Sequence, residues 1–222
     1  MPAEVLRMAW IGKSLELIYR GGPVMAPLML CSVTAVAVML ERFLALRRAD
    51  VNTAALMEEL KSKLTSGKAQ EALELCNATP GPVAAVLAKG LNSRHLGHQG
   101  MERRMEEQAL AEVPELERRL VWLDTIITVA PLLGLLGTVT GMIGAFHVIG
   151  RSGASQPTAI TGGVAEALIA TATGLTIAIV TLVGYNYLTD KVKALVGQME
   201  LRATQLANML ASLEERKEGE LV

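Results

Sequence analysis

The 222 residues carry 21 Lys and Arg against 22 Asp and Glu, for a formal charge of −1 and a pI near 6.3, which excludes a globally basic nucleic-acid binder. Apolar residues make up 51%, mean hydropathy is +0.36 and aromatics only 3%, so a chain this smooth in Ala, Gly, Val and Leu reads as a membrane protein and not as an ordinary soluble core. Cys31 lies in an apolar stretch and Cys76 in a charged helical region; neither has metal-ligand spacing around it, and both read as free, inert thiols with no metal site expected.

Residues 1–20 are predicted as an amphipathic interfacial helix. Leu6, Trp10, Leu17 and Ile18 alternate with Arg7, Lys13 and Glu16, too polar a pattern for the apolar core of a cleaved leader. Gly21-Gly22-Pro23 reads as the hinge into a first transmembrane helix over residues 21–44, whose uncharged window closes at Glu41-Arg42. A bilayer crossing needs about 20 apolar residues, which this window supplies.

Residues 45–120 are expected to form a cytoplasmic helical domain. Leu56, Leu60 and Leu64, then Ala72, Leu73 and Leu75, recur at helical spacing among Glu and Lys, predicting two or three helices. Breakers are expected at Asn77–Pro82 and at Leu96–Gly100, which would leave His95 and His98 in a loop. From Met101 the Glu- and Arg-rich pattern can run on into the second span, with Pro114 bending the helix or starting a new one.

A second transmembrane helix is predicted over residues 121–150 and a third over 158–189, with a cytoplasmic C-terminal helix over 190–222 that keeps its period through Leu195, Met199, Leu206 and Leu213. Arg42, Arg47, Arg48, Arg118, Arg119, Lys191 and Lys193 flank the same ends of the three spans, so those ends are read as cytoplasmic, with the N-terminus periplasmic and the C-terminus cytoplasmic. Arg7, Lys13 and Arg20 count against this orientation at one end.

Glu166 is the single formal charge between Arg151 and Asp190. A carboxylate in a membrane-length apolar segment is expensive unless it faces protein or water, and by default it marks an ion path; the alternative is a neutral carboxyl hydrogen-bonded between helices. Unrolled at about 100° per residue, the third span places Glu166, Ala170, Thr173, Ile177 and Thr181 on one stripe. Thr171 falls on another, with Ala167, Gly174 and Ala178. One face can meet a neighbouring copy and the other a central lumen, as a ring-shaped oligomer requires. In the second span Gly134, Gly137 and Gly141 predict close helix packing. Thr138 on the same face can either pack or line a pore, and the hydroxyls of Thr140, Thr173 and Thr176 can instead bond back to their own helix carbonyls.

Two long motifs carry a resemblance. Residues 130–142 (Ala-Pro-Leu-Leu-Gly-Leu-Leu-Gly-Thr-Val-Thr-Gly-Met) and 163–175 (Gly-Val-Ala-Glu-Ala-Leu-Ile-Ala-Thr-Ala-Thr-Gly-Leu) resemble the MotA/TolQ/ExbB proton-channel family, closest to ExbB. Glu41-Arg42-Phe43 and Tyr185-Asn186 also fit, and the resemblance covers almost the whole chain. It implies an all-α integral membrane protein of the bacterial inner membrane, with three long transmembrane helices and a helical cytoplasmic domain, assembled as a homopentamer. The lumen would hold an ExbD-like single-span partner, as a dimer with an essential aspartate on each copy, and a TonB-like transducer would carry the energy onward. By position Thr138 and Thr171 match the family's lumen hydroxyls and Glu166 its third-span glutamate, with Thr173 a further hydroxyl of that pathway. Glu166 would act at a subunit interface or outer entrance, since it lies on a different face from Thr171. The coupling ion is expected to be the proton, because Ala170 stands where sodium-driven relatives add a hydroxyl; Thr173 and Thr176 leave sodium as the lesser option. No other cofactor is expected, and membrane lipids are expected contacts.

The resemblance thus implies an ion-driven motor subunit for uptake across the outer membrane. A TolQ-like role in envelope integrity is the alternative within the family, and a passive membrane scaffold the alternative outside it. Enzyme activity is not expected, since His95 and His98 have no adjacent nucleophile or metal cluster and His147 sits at a span end.

Overall fold

The computed structural model describes residues 21–152 and 157–219. The expected interfacial helix of residues 1–20 and the centre of the connection between the second and third spans lie outside the described residues. The elements are α1 (Met25–Ala49), α2 (Thr53–Thr65), α3 (Ala69–Ala78), α4 (Pro82–Asn92), a 3-10 turn (Arg94–Leu96), α5 (Gly97–Glu117), α6 (Leu120–Ser152) and α7 (Pro157–Gly219). Among the described residues three helices are long and apolar enough to cross a membrane, and the apolar windows fall in α1, α6 and α7. The third span and the C-terminal helix are one uninterrupted helix of 63 residues.

The chain divides into two compact units, one of residues up to Leu40 with Arg119–Asn186, the other of Glu41–Arg118 with the residues from Tyr187 onward. The first is the membrane unit. Its α1 buries Met25, Leu28 and Ala35, with Val24 buried just before it, while Leu30, Val33, Val36 and Leu40 face outward. The outward faces of α6 and α7 are likewise apolar, with Leu132, Leu135, Ile143, Leu168, Ile179 and Val183 all exposed. Large apolar side chains on the outside are what a lipid solvent permits.

The second unit is built as in water. Its α2 opens on Asn52, whose side chain accepts from the Ala55 N–H at 3.1 Å and caps the helix, and it buries Leu56, Leu60 and Leu64. Next comes α3, which turns Ala72 and Cys76 inward. Pro82 at the first position then starts α4, which buries Val83, Val86, Leu87 and Leu91. The C-terminal half of α7 adds Leu188, Val192, Leu195, Met199 and Leu206 at spacings of three, four or more. Gly90 of α4 brings these helices together, since a Cβ there would stand 2.5 Å from Met105 Sδ and 3.3 Å from Leu206 Cδ2.

Three sequence expectations are corrected here. The soluble section holds four α-helices and a 3-10 turn, because the chain also breaks at Ser66-Gly67: Gly67 has φ +76°, and the Thr65 and Ser66 hydroxyls take up the carbonyls of Lys61 and Ser62 at the helix end. The second breaker falls at Ser93–Gly97 and does not reach Gly100. His95 is therefore in the 3-10 turn and His98 in the first turn of α5, with Nε2 3.4 Å from Glu102 Oε1. Finally, α5 runs through Pro114 and ends at Glu117, with Arg119 at φ 64°. A proline removes only one helical hydrogen bond, whereas the true exit is held from outside: the buried Arg42 donates from Nη1 to the Glu115 carbonyl at 3.1 Å and pairs through Nη2 with Glu41 at 2.6 Å. That carbonyl is among the last of the helix, which have no partner of their own.

Candidate functional site

In the membrane unit, α6 offers a stripe with almost no bulk. Ala130, Gly134, Gly137, Gly141 and Ala145 are buried at intervals of three or four residues, and α7 answers with Ala167, Ala170, Gly174, Ala178 and Thr181. The two backbones approach until there is no room for a side chain. A Cβ on Gly134 would lie 3.0 Å from Thr171 Cα, and one on Gly141 would lie 2.8 Å from the Gly163 carbonyl oxygen. A Cβ on Gly137 would overlap that of Ala170, and one on Gly174 would overlap the Ala130 carbonyl oxygen. Contact at this range is the principal source of helix association in lipid. The small-residue face of the third span is thus filled within one chain by α6.

The predicted pathway residues do not share one face. The Thr171 hydroxyl crosses the seam and donates to the Gly134 carbonyl at 3.0 Å. That of Thr138 donates to Leu135 in its own helix at 2.6 Å, and that of Thr173 to Ile169 at 2.8 Å. Thr173 also lines an open apolar groove with Leu168, Ile169, Ala172, Thr176 and Ile177. Glu166 is half-buried on the same stripe of α7 as Thr173, two turns earlier, its carboxyl lying over Gly22 at the entrance to α1.

The hydroxyls can do one thing chemically. Their protons are committed to backbone carbonyls, while each oxygen keeps lone pairs as an acceptor. They can receive a hydrogen bond from a protonated carboxylic acid, or the charge of a cation, without giving up an existing bond. A carboxylate gains nothing comparable from them.

Two residues carry more structure than their sequence signals announce. Gly22 reads as part of a hinge, and Arg42 as one more positive charge at a span end; only the packing shows the first against Glu166 and the second on the end of α5.

The family model of the MotA/TolQ/ExbB proton channel family matches residues 78–201. A protein of Methanothermobacter thermautotrophicus described as a putative biopolymer transport protein ExbB homolog is 30% identical over 86% of this chain and 68% of its own length. The biopolymer transport protein ExbB of Neisseria meningitidis serogroup A is 28% identical over 87% of this chain and 95% of its own. The Tol-Pal system protein TolQ of Haemophilus influenzae is 42% identical over a shorter stretch, 44% of this chain and 42% of its own. The fold and the seam define a polytopic helical membrane protein. The chain belongs to the MotA/TolQ/ExbB proton channel family.

Proposed function

We propose that this chain is the ExbB-like subunit of an inner-membrane motor driven by protons, which energises TonB-dependent uptake across the outer membrane together with an ExbD-like partner. The observation that carries the reading is the lone carboxyl of Glu166 in a span whose hydroxyls are arranged as acceptors. The near full-length match to the ExbB of Neisseria meningitidis supports the uptake role. Five copies would enclose a lumen, and two partner helices would sit in it, each with an aspartate.

The mechanism follows from the cost of charge. An aspartate on a partner helix passes an apolar ring only when neutral. Protonated, it donates to the oxygen of Thr138 or Thr171; ionised, it finds no free donor there and is expelled toward water. Loading from the periplasm and release to the cytoplasm bias its motion in one direction. Each proton crossing 100 mV yields about 2.3 kcal/mol, about four times thermal energy. The five-against-two mismatch keeps the partner from settling into equivalent contacts, which favours stepwise rotation.

A second reading has its own support: the strongest identity among these relatives, 42%, is to a TolQ. The test is growth on a siderophore as sole iron source, in a host lacking its own ExbB and TolQ, with the chain supplied beside its ExbD-like and TonB-like neighbours. Growth abolished by Glu166→Gln is the expected result. Restored detergent resistance without growth on the siderophore would assign the TolQ-like role, and growth indifferent to both Glu166→Gln and Thr171→Val would leave a passive scaffold.

A further inference from the structure

Gly22 occupies an unusual place. Its φ is +72°, and a Cβ built on it would overlap Glu166 Oε1 and lie 2.6 Å from Glu166 Cδ and 3.1 Å from Cγ. The carboxyl of α7 therefore fills the volume that any other residue at position 22 would claim for itself. The preceding glycine is buried, and a Cβ on it would come within 3.2 Å of Ile169 Cγ2, so the turn as a whole lies flat on α7, spanning the helical turn that carries Glu166 and Ile169. The next residues fix the turn in place: the Met25 N–H donates to the Gly22 carbonyl at 3.1 Å and the Ala26 N–H to the Pro23 carbonyl at 3.3 Å.

The geometry points to Gly22 as the positioning residue for Glu166: the side-chain-free turn before the first span is a seat that holds the third-span carboxyl within the same subunit. A glutamate has three rotatable bonds and, in an apolar surround, many unproductive places to lie. A bare backbone surface opposite it selects one, and misplacement of a reacting group by about 1 Å can cost about 100-fold in rate. This inference rests on Glu166 lying in the ion path, as proposed above, and it adds where the carboxyl is held and by what.

The chain supplies its own control. Gly67 has φ +76°, and a Cβ built on it meets nothing within 4 Å, so Gly67→Ala imposes the same backbone penalty as Gly22→Ala without displacing a carboxyl. Ion-driven uptake is expected to fall at least tenfold in Gly22→Ala and to change less than twofold in Gly67→Ala. Glu166→Asp, one methylene shorter, is expected to lower activity by itself and to lose little more when Gly22→Ala is added, because its carboxyl is already withdrawn from the new methyl group. A Gly22→Ala that costs as much in the Glu166→Asp background as in the parent, or a Gly22→Ala no worse than Gly67→Ala, would overturn the seat. Glu166→Gln runs alongside: full activity there would sink the ion-path reading itself, whatever Gly22 does.

Position can also be read without activity. Gly22→Cys combined with Glu166→Cys in the full chain, with Cys31 and Cys76 replaced by Ser, is expected to form a disulfide under mild oxidation, since the two side chains fall within bonding reach. A bond inside one subunit supports the seat. Reduced thiols, or a ladder of linked subunits, would overturn it.

Discussion

The two units of this chain solve opposite packing problems. In the soluble unit the interior is large: Leu60, Leu87, Met105, Met199 and Leu206 are fully buried, and the driving force is removal of their area from water. In the membrane unit Leu28 and Leu123 are also fully buried, but the seam between α6 and α7 is built from small residues. Ala130, Gly134, Gly137, Ala170 and Gly174 are inside, and Leu135, Ile143, Ile179 and Val183 outside. Lipid is as apolar as leucine, so burying leucine there gains little, and backbone approach becomes the source of cohesion. The same helix, α7, obeys both rules along its length, with Ala167, Gly174 and Ala178 in one half and Leu195, Met199 and Leu206 in the other.

If that contrast holds, adding bulk should break the membrane unit and removing bulk should break the soluble one. Gly174→Val is expected to have the largest effect, more than about 4 kcal/mol, because the new side chain meets Ala130 and Gly134 backbone atoms that cannot turn away. The intact species should vanish from size-exclusion chromatography in detergent, whereas Ile179→Ala on the outward face should stay within about 0.5 kcal/mol of the parent. Equal effects of the two would refute the contrast. Leu60→Ala, at a position with no exposure, is expected to cost about 3 kcal/mol in thermal unfolding.

Arg42→Ala should follow at about 2 kcal/mol, the range for losing the hydrogen bonds of a charged donor, here one whose own side chain is buried. Arg42→Lys should recover only part, since a compact ammonium lacks the fork by which Nη1 reaches the Glu115 carbonyl and Nη2 reaches Glu41. Full recovery by lysine would show that charge alone matters there.

The smallest effect is a pH dependence. Burial pushes the Cys76 thiol up to about 11, so the folded state favours the neutral thiol. Stability from this group is intact below the ordinary value of 9.0 and declines as pH rises from there to about 11, where the unfolded thiol ionises and the folded one does not. A loss of about 1 kcal/mol at pH 10 is expected, absent in Cys76→Ala. Alkylation of Cys76 at pH 8 should likewise proceed only on unfolding.

Much of the fold is legible in the sequence. The uncharged windows and the Leu and Ala periodicity mark where helices lie, and the Asn77–Pro82 breaker coincides with the gap between α3 and α4. Local signals mislead where the deciding partner is distant. Pro114 advertises a break, yet the chain leaves the helix a few residues later, where Arg42, 73 residues away from Glu115 in sequence, supplies the donor for the Glu115 carbonyl. The Ser66-Gly67 pair is a turn signal in its own right, and it marks the break beyond those expected.

For the site, sequence alone determined the chemistry: one carboxyl and several hydroxyls in a span otherwise free of charge, since the cost of charge in lipid depends on composition and depth and not on a partner. Helical periodicity also separated Glu166 from Thr171. Only the tertiary structure decided what each face meets. That Thr171 reaches across to Gly134, that the small face of α7 is taken by α6, and that the Glu166 carboxyl rests on Gly22 are matters of van der Waals fit between segments far apart in the chain, and no local pattern encodes such a fit.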